Sequence, residues 1–242
     1  LCIIVAVTGY KLKSLTASGG LATIAVGSAV ALGFGYGGLM LLGAFFASSS
    51  LWSKFKSEYK ESRIAGKIAK GEQRDSIQVL ANGGVPAILG IIMTLFPSPS
   101  LLYAFIASIA AANADTWASE IGSLSRKEPF LITNFKRVEP GTSGAMSSLG
   151  TFAALFGSIF ICFLSYVYWG LPIYITLLLV LVGFTGNLMD TVLGATIQVS
   201  FKCKVCHVET EKTIHCQQKT LHHKGYSFFN NDIVNFLAIL FS

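Results

Sequence analysis

Hydrophobic positions along the chain come in long runs, with the polar positions gathered between them. Apolar segments fall at about 1–10, 20–50, 79–96, 101–119, 145–168, 171–198 and 231–242. Uninterrupted runs of this length predict membrane-spanning helices, because a half-buried strand would alternate every second residue instead. The run at 20–50 is broken in its middle by GFGYGGL, residues 33–39. Splitting it there leaves two helices of ~14 residues, each about 21 Å long against a hydrocarbon core of ~30 Å. They predict a short hairpin. The sequence therefore reads as an all-α integral membrane protein with about eight transmembrane or half-membrane helices, in one domain over 1–242. The opening LCIIVAV lacks a basic n-region and a small-residue cleavage site, so it reads as a helix end and not a signal peptide.

Charge sharpens the topology. Of the 242 residues 52% are hydrophobic and only 12% charged, with a net charge of +6, against roughly 25% charged in a soluble domain. All 18 Lys and Arg lie within 11–13, 54–74, 126–137 and 202–224. With the hairpin split, all four stretches fall on one face, which the positive-inside rule makes cytoplasmic. Contact with anionic headgroups accounts for most of these cations, and no nucleic-acid partner is expected.

Polar residues also enter the apolar runs at helical spacing. Arg74, Gln78 and Asn82 recur every fourth residue and share a face. Asn187, Asp190 or Thr191, Gly194 and Gln198 do the same, and Asn231 and Asn235 flank Asp232. The run ending ANADTWASEIG adds Asn113, Asp115, Thr116 and Glu120. Amides there can simply hydrogen-bond helices together. Carboxylates near hydrocarbon cost several kcal/mol unless they are solvated, paired or metal-bound. Asp115, Glu120 and Asp190 therefore predict a wet cavity holding Mg²⁺, a hard cation whose shell substrate phosphates would complete. Gln78, Asn113, Thr116, Asn187, Gln198, Asn231, Asp232 and Asn235 are expected to line it.

Between Glu120 and the next apolar run lies KRVEPGTSGAMSS. Gly141 and Gly144 permit a tight turn with N–H groups pointing one way, and Thr142 and Ser143 add hydroxyls. A helix opening at about Ala145 would present its positive end. With Lys136 and Arg137 beside it, and Arg74 and Asn82 from the earlier stripe, this predicts a phosphate site. The same residues also make a turn followed by an N-cap. No GxxxxGK occurs and no GxGxxG opens a helix after a strand, which excludes the familiar soluble nucleotide folds.

ADTWASEIG, VEPGTSGAMSSLG, GNLMDTVLGATIQ, QVLANGG and NNDIVN together resemble the membrane proteins grouped with transmembrane protein 19. The similarity covers nearly the whole chain. It is more distant to the CTP-dependent dolichol and phytol kinases. The plant member of the group is a phytyl-phosphate kinase, so the resemblance implies phosphoryl transfer from a nucleoside triphosphate, CTP favoured, to an isoprenyl monophosphate lipid. It implies roles for Asp115 and Glu120 in one motif, for Lys136, Arg137 and Gly141 to Gly144 in a phosphate loop, and for Asp190, Asn231, Asp232 and Asn235. An ion-coupled transporter and a cytidylyltransferase making a CDP-lipid are the alternative readings of the same acids.

The most polar region, 201–225, forms a cytoplasmic Cys/His-rich insert. Cys203-x2-Cys206 with Cys216 and a histidine offers the four N or S ligands of a structural Zn²⁺ site. His222 or His223 is the expected fourth ligand. A disulfide is disfavoured on a reducing face.

Overall fold

The computed structural model describes residues 1–242 except 65, 66, 68–70 and 72; Lys70, part of the basic stretch 54–74, lies outside the described residues. The molecule is mainly helical: α1 (Cys2–Lys11), α2 (Ala17–Lys54), α3 (Ser57–Ile64), α4 (Ser76–Leu95) and α5 (Pro99–Gly122) precede α6 (Ser148–Trp169), α7 (Ile173–Thr196) and α8 (Asn231–Leu240). Among the described residues α2, α4, α6 and α7 are long and apolar enough to cross a membrane. Among the described residues, seven short strands occupy the polar connections. β1 (Phe130–Leu131) and β2 (Ala145–Met146) lie between α5 and α6. β3 (Ser200–Lys202), β4 (Glu209–Thr210), β5 (Ile214–His215), β6 (Gln218–Lys219) and β7 (Leu221–Lys224) lie between α7 and α8.

Helix α2 doubles back within the glycine-rich break expected from sequence. Gly35 adopts φ 60°, ψ −146°, a conformation open in practice only to glycine. Both ends of α2 consequently meet Arg74. A Cβ on Gly19 would sit 2.1 Å from the Arg74 carbonyl oxygen, and the Arg74 guanidinium donates to Ser50 Oγ at 3.1 Å. Phe34, just before the turn, stacks on Phe105 at 4.0 Å between ring centroids. The two arms, 17–34 and 36–54, are each roughly 27–28 Å long at 1.5 Å per residue, longer than the ~14-residue halves the sequence predicts. The apolar runs underestimate them because every residue of the glycine-rich break except Gly35 is helical, and because Ala17–Gly19 and Leu51–Lys54 extend the outer ends.

Helix α5 forms the centre. Every residue from Phe105 to Ala114 is buried, as befits a helix that is apolar on all sides. Small residues let α7 approach it closely: a Cβ on Gly183 would lie 2.6 Å from Ala110 Cβ, and one on Gly186 2.5 Å from Ala111 Cβ. This is the packing that substitutes for hydrophobic drive between helices in lipid. Asn113 is fully buried and ties three helices, donating to the Gly157 carbonyl at 2.8 Å and accepting from Ser48 Oγ at 3.2 Å.

The basic connections form one layer at one end of the bundle. Lys54 reaches the Leu12 carbonyl, Arg63 the Ser125 carbonyl, Lys67 the Glu139 carboxylate and Lys224 the Ser143 carbonyl. The Gly35 turn lies at the other end, where a Cβ on Gly37 would strike Tyr168 and Trp169. Helix caps fix the entries: Asp75 and Gln78 form a reciprocal capping box at α4, and Asn230 caps α8.

Candidate functional site

Parallel packing of α5 and α7 brings Asp115 and Asn187 together, with Asn187 Nδ2 donating to Asp115 Oδ1 at 3.1 Å. One turn along α7, the Asp190 carboxyl lies within hydrogen-bonding reach of Asp115. Asn235 on α8 closes the group. With its amide nitrogen turned inward it donates to Asp190 Oδ1 at 2.9 Å and to the Asn231 carbonyl at 3.0 Å. Asp115, Asp190 and Asn235 line a small cavity with Ala111, Gly186, Ala238 and Ile239. Neither carboxyl has a Lys or Arg partner among the described residues. Two carboxyls in this position need a shared proton or a cation, and oxygen donors of this kind suit Mg²⁺.

One turn beyond Asp190, Gly194 receives the glycine loop. Gly144 has φ +80°, and a Cβ there would lie 2.4 Å from the Ala195 backbone, so only glycine permits this contact. Gly144 thus sits about 10 Å along the α7 axis from Asn187, seven residues at 1.5 Å each. The loop is held from outside as well. Lys67, itself buried, donates to Glu139 at 2.6 Å and to the Pro140 carbonyl at 2.9 Å, and Lys224 reaches the Ser143 carbonyl at 3.3 Å. The Lys67 ammonium lowers the pKa of Glu139 by its hydrogen bond and its charge. Residue Ala145 does not open a helix. It pairs with Leu131 in the β1–β2 ladder, and α6 starts only after Ser147, whose hydroxyl accepts from Gly150 N. The helix N-terminus is therefore capped by its own serine, and Thr142 Oγ1 donates to the Glu139 carbonyl at 2.8 Å, so the donors the loop can offer an anion are the Ser143 hydroxyl and its remaining backbone N–H groups. Lys136 and Arg137 are exposed at the rim, and Arg137 is turned to the Glu128 carbonyl.

The structure separates Glu120 from the other acids. Glu120 lies roughly 140° from Asp115 around an ideal helix and accepts from Lys60 Nζ at 2.6 Å. Lys60 is buried and also donates to the carbonyls of Trp52 and Ser53, both at 2.7 Å. The three-carboxylate arrangement expected for Mg²⁺ is thus reduced to the Asp115–Asp190 pair. Asn113 and Thr116 spend their hydrogen bonds on the helices: Asn113 joins helices, and Thr116 Oγ1 bonds back to the Ala112 carbonyl at 2.9 Å. Asp232 is buried in the first turn of α8.

Arg74, Gln78 and Asn82 line a different space. A cleft opens between α1, both arms of α2 and α4, with those three residues and otherwise mainly apolar side chains around it. Among the described residues, none lines both cavities. Burial lowers the Arg74 pKa, and the charge of Glu120 opposes the change.

Sequence reasoning missed Lys60, Lys67 and Glu211. Gln198, fully buried, donates to Glu211 Oε1 at 2.9 Å. Glu211 belongs to the insert, whose polar composition hides that it folds back over the bundle. Within the insert, Cys203, Cys206, His215 and Cys216 place their ligand atoms within 4.8 Å of one another. The expected histidine, His222, points elsewhere, with Nε2 3.0 Å from the Gly225 carbonyl oxygen and its ring edge-on to Phe201.

The chain matches the family described as Integral membrane protein DUF92 over residues 1–242. It is similar to Protein PGR of Arabidopsis thaliana, at 33% identity over 98% of this chain and 89% of the relative. Protein VTE6, chloroplastic, from the same plant is 30% identical over 93% of this chain and 62% of its own length. An uncharacterized membrane protein of Methanocaldococcus jannaschii, MJ0933, is 39% identical over 69% of this chain and 66% of its own. No solved structure matches. The chain belongs to the DUF92 family of integral membrane proteins.

Proposed function

We propose that this DUF92 protein is a membrane phosphotransferase that moves the terminal phosphoryl group of a nucleoside triphosphate, CTP favoured, onto an isoprenyl monophosphate. The observation that carries the reading is the stacking along α7: the Asp115–Asp190 pair lies one turn below Gly194, against which the Gly144 loop docks. Groups suited to a divalent cation and groups suited to phosphate oxygens then lie within about 10 Å of each other. Asp115 and Asp190 would hold Mg²⁺, with the amides of Asn187 and Asn235 orienting them. The cation would supply neutralisation of charge on the transferring phosphoryl group.

Phosphoryl transfer asks mainly for positioning and charge neutralisation. An acceptor phosphate oxygen attacks the terminal phosphorus, the bridging P–O bond breaks, and the nucleoside diphosphate leaves. The Ser143 hydroxyl and the remaining N–H groups of the loop would bind the triphosphate, with Lys136 and Arg137 at the rim. The apolar space between α1, α2 and α4 suits the prenyl tail, and Arg74 at its edge suits the acceptor phosphate. In this reading the basic end faces the cytoplasm, following the positive-inside rule.

Purified protein incubated with Mg²⁺, γ-labelled CTP or ATP and phytyl or polyprenyl phosphates tests this directly. Label appearing in a lipid diphosphate, and lost in Asp115→Asn, supports the proposal. Release of inorganic diphosphate with cytidylate retained in the lipid would make the protein a cytidylyltransferase. No turnover with any chain length would overturn the enzymatic reading.

A further inference from the structure

We infer that Cys203, Cys206, His215 and Cys216 form a structural Zn²⁺ site that clamps the insert over the bundle. This inference rests on the insert alone and is independent of the proposed reaction. A tetrahedral Zn²⁺ with Zn–S of about 2.3 Å and Zn–N of about 2.0–2.1 Å sets ligand edges of about 3.8 Å between sulfurs and about 3.5 Å between sulfur and nitrogen. The structure has Cys206 Sγ 3.9 Å from Cys216 Sγ, and His215 Nδ1 3.4 Å from Cys206 Sγ and 3.3 Å from Cys216 Sγ. Cys203 Sγ completes the set within the 4.8 Å limit and accepts from Val205 N at 3.4 Å. The sulfur separation is far beyond a disulfide bond of about 2.05 Å. Four protein ligands leave no open position, which is the pattern of a structural rather than a catalytic zinc.

The backbone around the four ligands is bent to present them. Cys216 and Gln217 form the two-residue turn between β5 and β6 with φ of 49° and 60°, and His207, directly after Cys206, has φ 60°. Turns of this kind normally take Asn-Gly or Gly-Gly, and left-handed conformations cost non-glycine residues about 1–2 kcal/mol each. A bound cation over-determines such a conformation.

The site would join the tip of β3–β4 to the tip of β5–β6. Strand β4 between them carries Thr210, whose Oγ1 donates to the Lys67 carbonyl at 3.1 Å. Glu211 follows, donating its N–H to the same carbonyl at 2.7 Å and accepting from Gln198. The clamp therefore fixes the segment that covers the α7 end and the glycine loop.

Full-length protein purified in detergent with zinc present should contain about one zinc per chain by elemental analysis. Cys206→Ser and Cys216→Ser should each lower that content at least tenfold, while His222→Ala retains it. Replacing zinc by Co²⁺ should give thiolate charge-transfer bands and the intense visible bands of tetrahedral cobalt; His215→Cys should keep the tetrahedral bands and strengthen the thiolate ones. Wild-type protein without zinc, unchanged content in Cys216→Ser, loss in His222→Ala, or a Cys206–Cys216 disulfide found by mass spectrometry would overturn the inference.

Discussion

Glu120 accepts from Lys60 at 2.6 Å on the side of α5 turned away from Asp115. The pair closes the loop layer, since Lys60 also holds the last carbonyls of α2. Glu120→Gln leaves a buried ammonium without its counter-charge and should cost about 3 kcal/mol of stability. Thermal unfolding in detergent measures this. The Lys60→Met, Glu120→Gln double variant should recover much of the loss, because both charges are then gone. If Glu120 were instead a cation ligand, the double variant would lose Mg²⁺-dependent turnover completely and without rescue.

Two buried asparagines separate packing from chemistry. Asn113→Ala strips a fully buried amide from the Gly157 carbonyl and Ser48 and should cost about 2–3 kcal/mol. Asn187→Ala frees Asp115 instead and should lower kcat at least tenfold with a smaller loss of stability. Parallel thermal unfolding and steady-state kinetics on the two variants give the comparison.

Gly144→Ala should undock the loop. The new Cβ meets the Ala195 backbone at 2.4 Å and the residue must hold φ +80°, so strain of about 2 kcal/mol or more is expected. Limited proteolysis should cut the variant within 139–147 faster than the parent, and the KM for the nucleotide should rise.

The Lys67–Glu139 contact should give an acid limb to stability. Lys67 lowers Glu139 from its ordinary 4.5. A depressed carboxylate contributes stability that is present above its unfolded value and lost as pH falls through the folded one. The parent should therefore lose stability progressively below about pH 4.5, and Glu139→Gln should be less stable near neutrality with a shallower acid slope. Glu139 is largely exposed, so the effect is small and fades at high salt. Unfolding temperatures measured from pH 3 to 7 at two salt concentrations decide it.

Local signals carried the topology. The uncharged Gly33–Leu39 break and the four basic stretches both follow from what a bilayer tolerates, and Gly35 makes the first of them physical. The Asp115–Asn187–Asp190–Asn235 group was visible as separate helical stripes, because spacing of four puts residues on a common face. Which stripes meet was not visible. That depends on Gly183 and Gly186 setting α7 against α5, and on Lys60, a residue in a polar loop, claiming Glu120. The same holds for His215: its claim over His222 comes from the register of a two-residue hairpin, which spacing between cysteines does not encode.

The burial of α5 bears on how the protein is made. This helix carries Asn113, Asp115 and Glu120 and is absent from the four that qualify as spans by their own apolarity. A segment with such residues partitions poorly from the translocon into lipid when it emerges by itself. It has to enter alongside a neighbour, and α4, joined to it by the short Phe96–Ser98 connection, is the neighbour at hand. Weakening α4 should therefore show first as failed biogenesis of the helix that bears the acids.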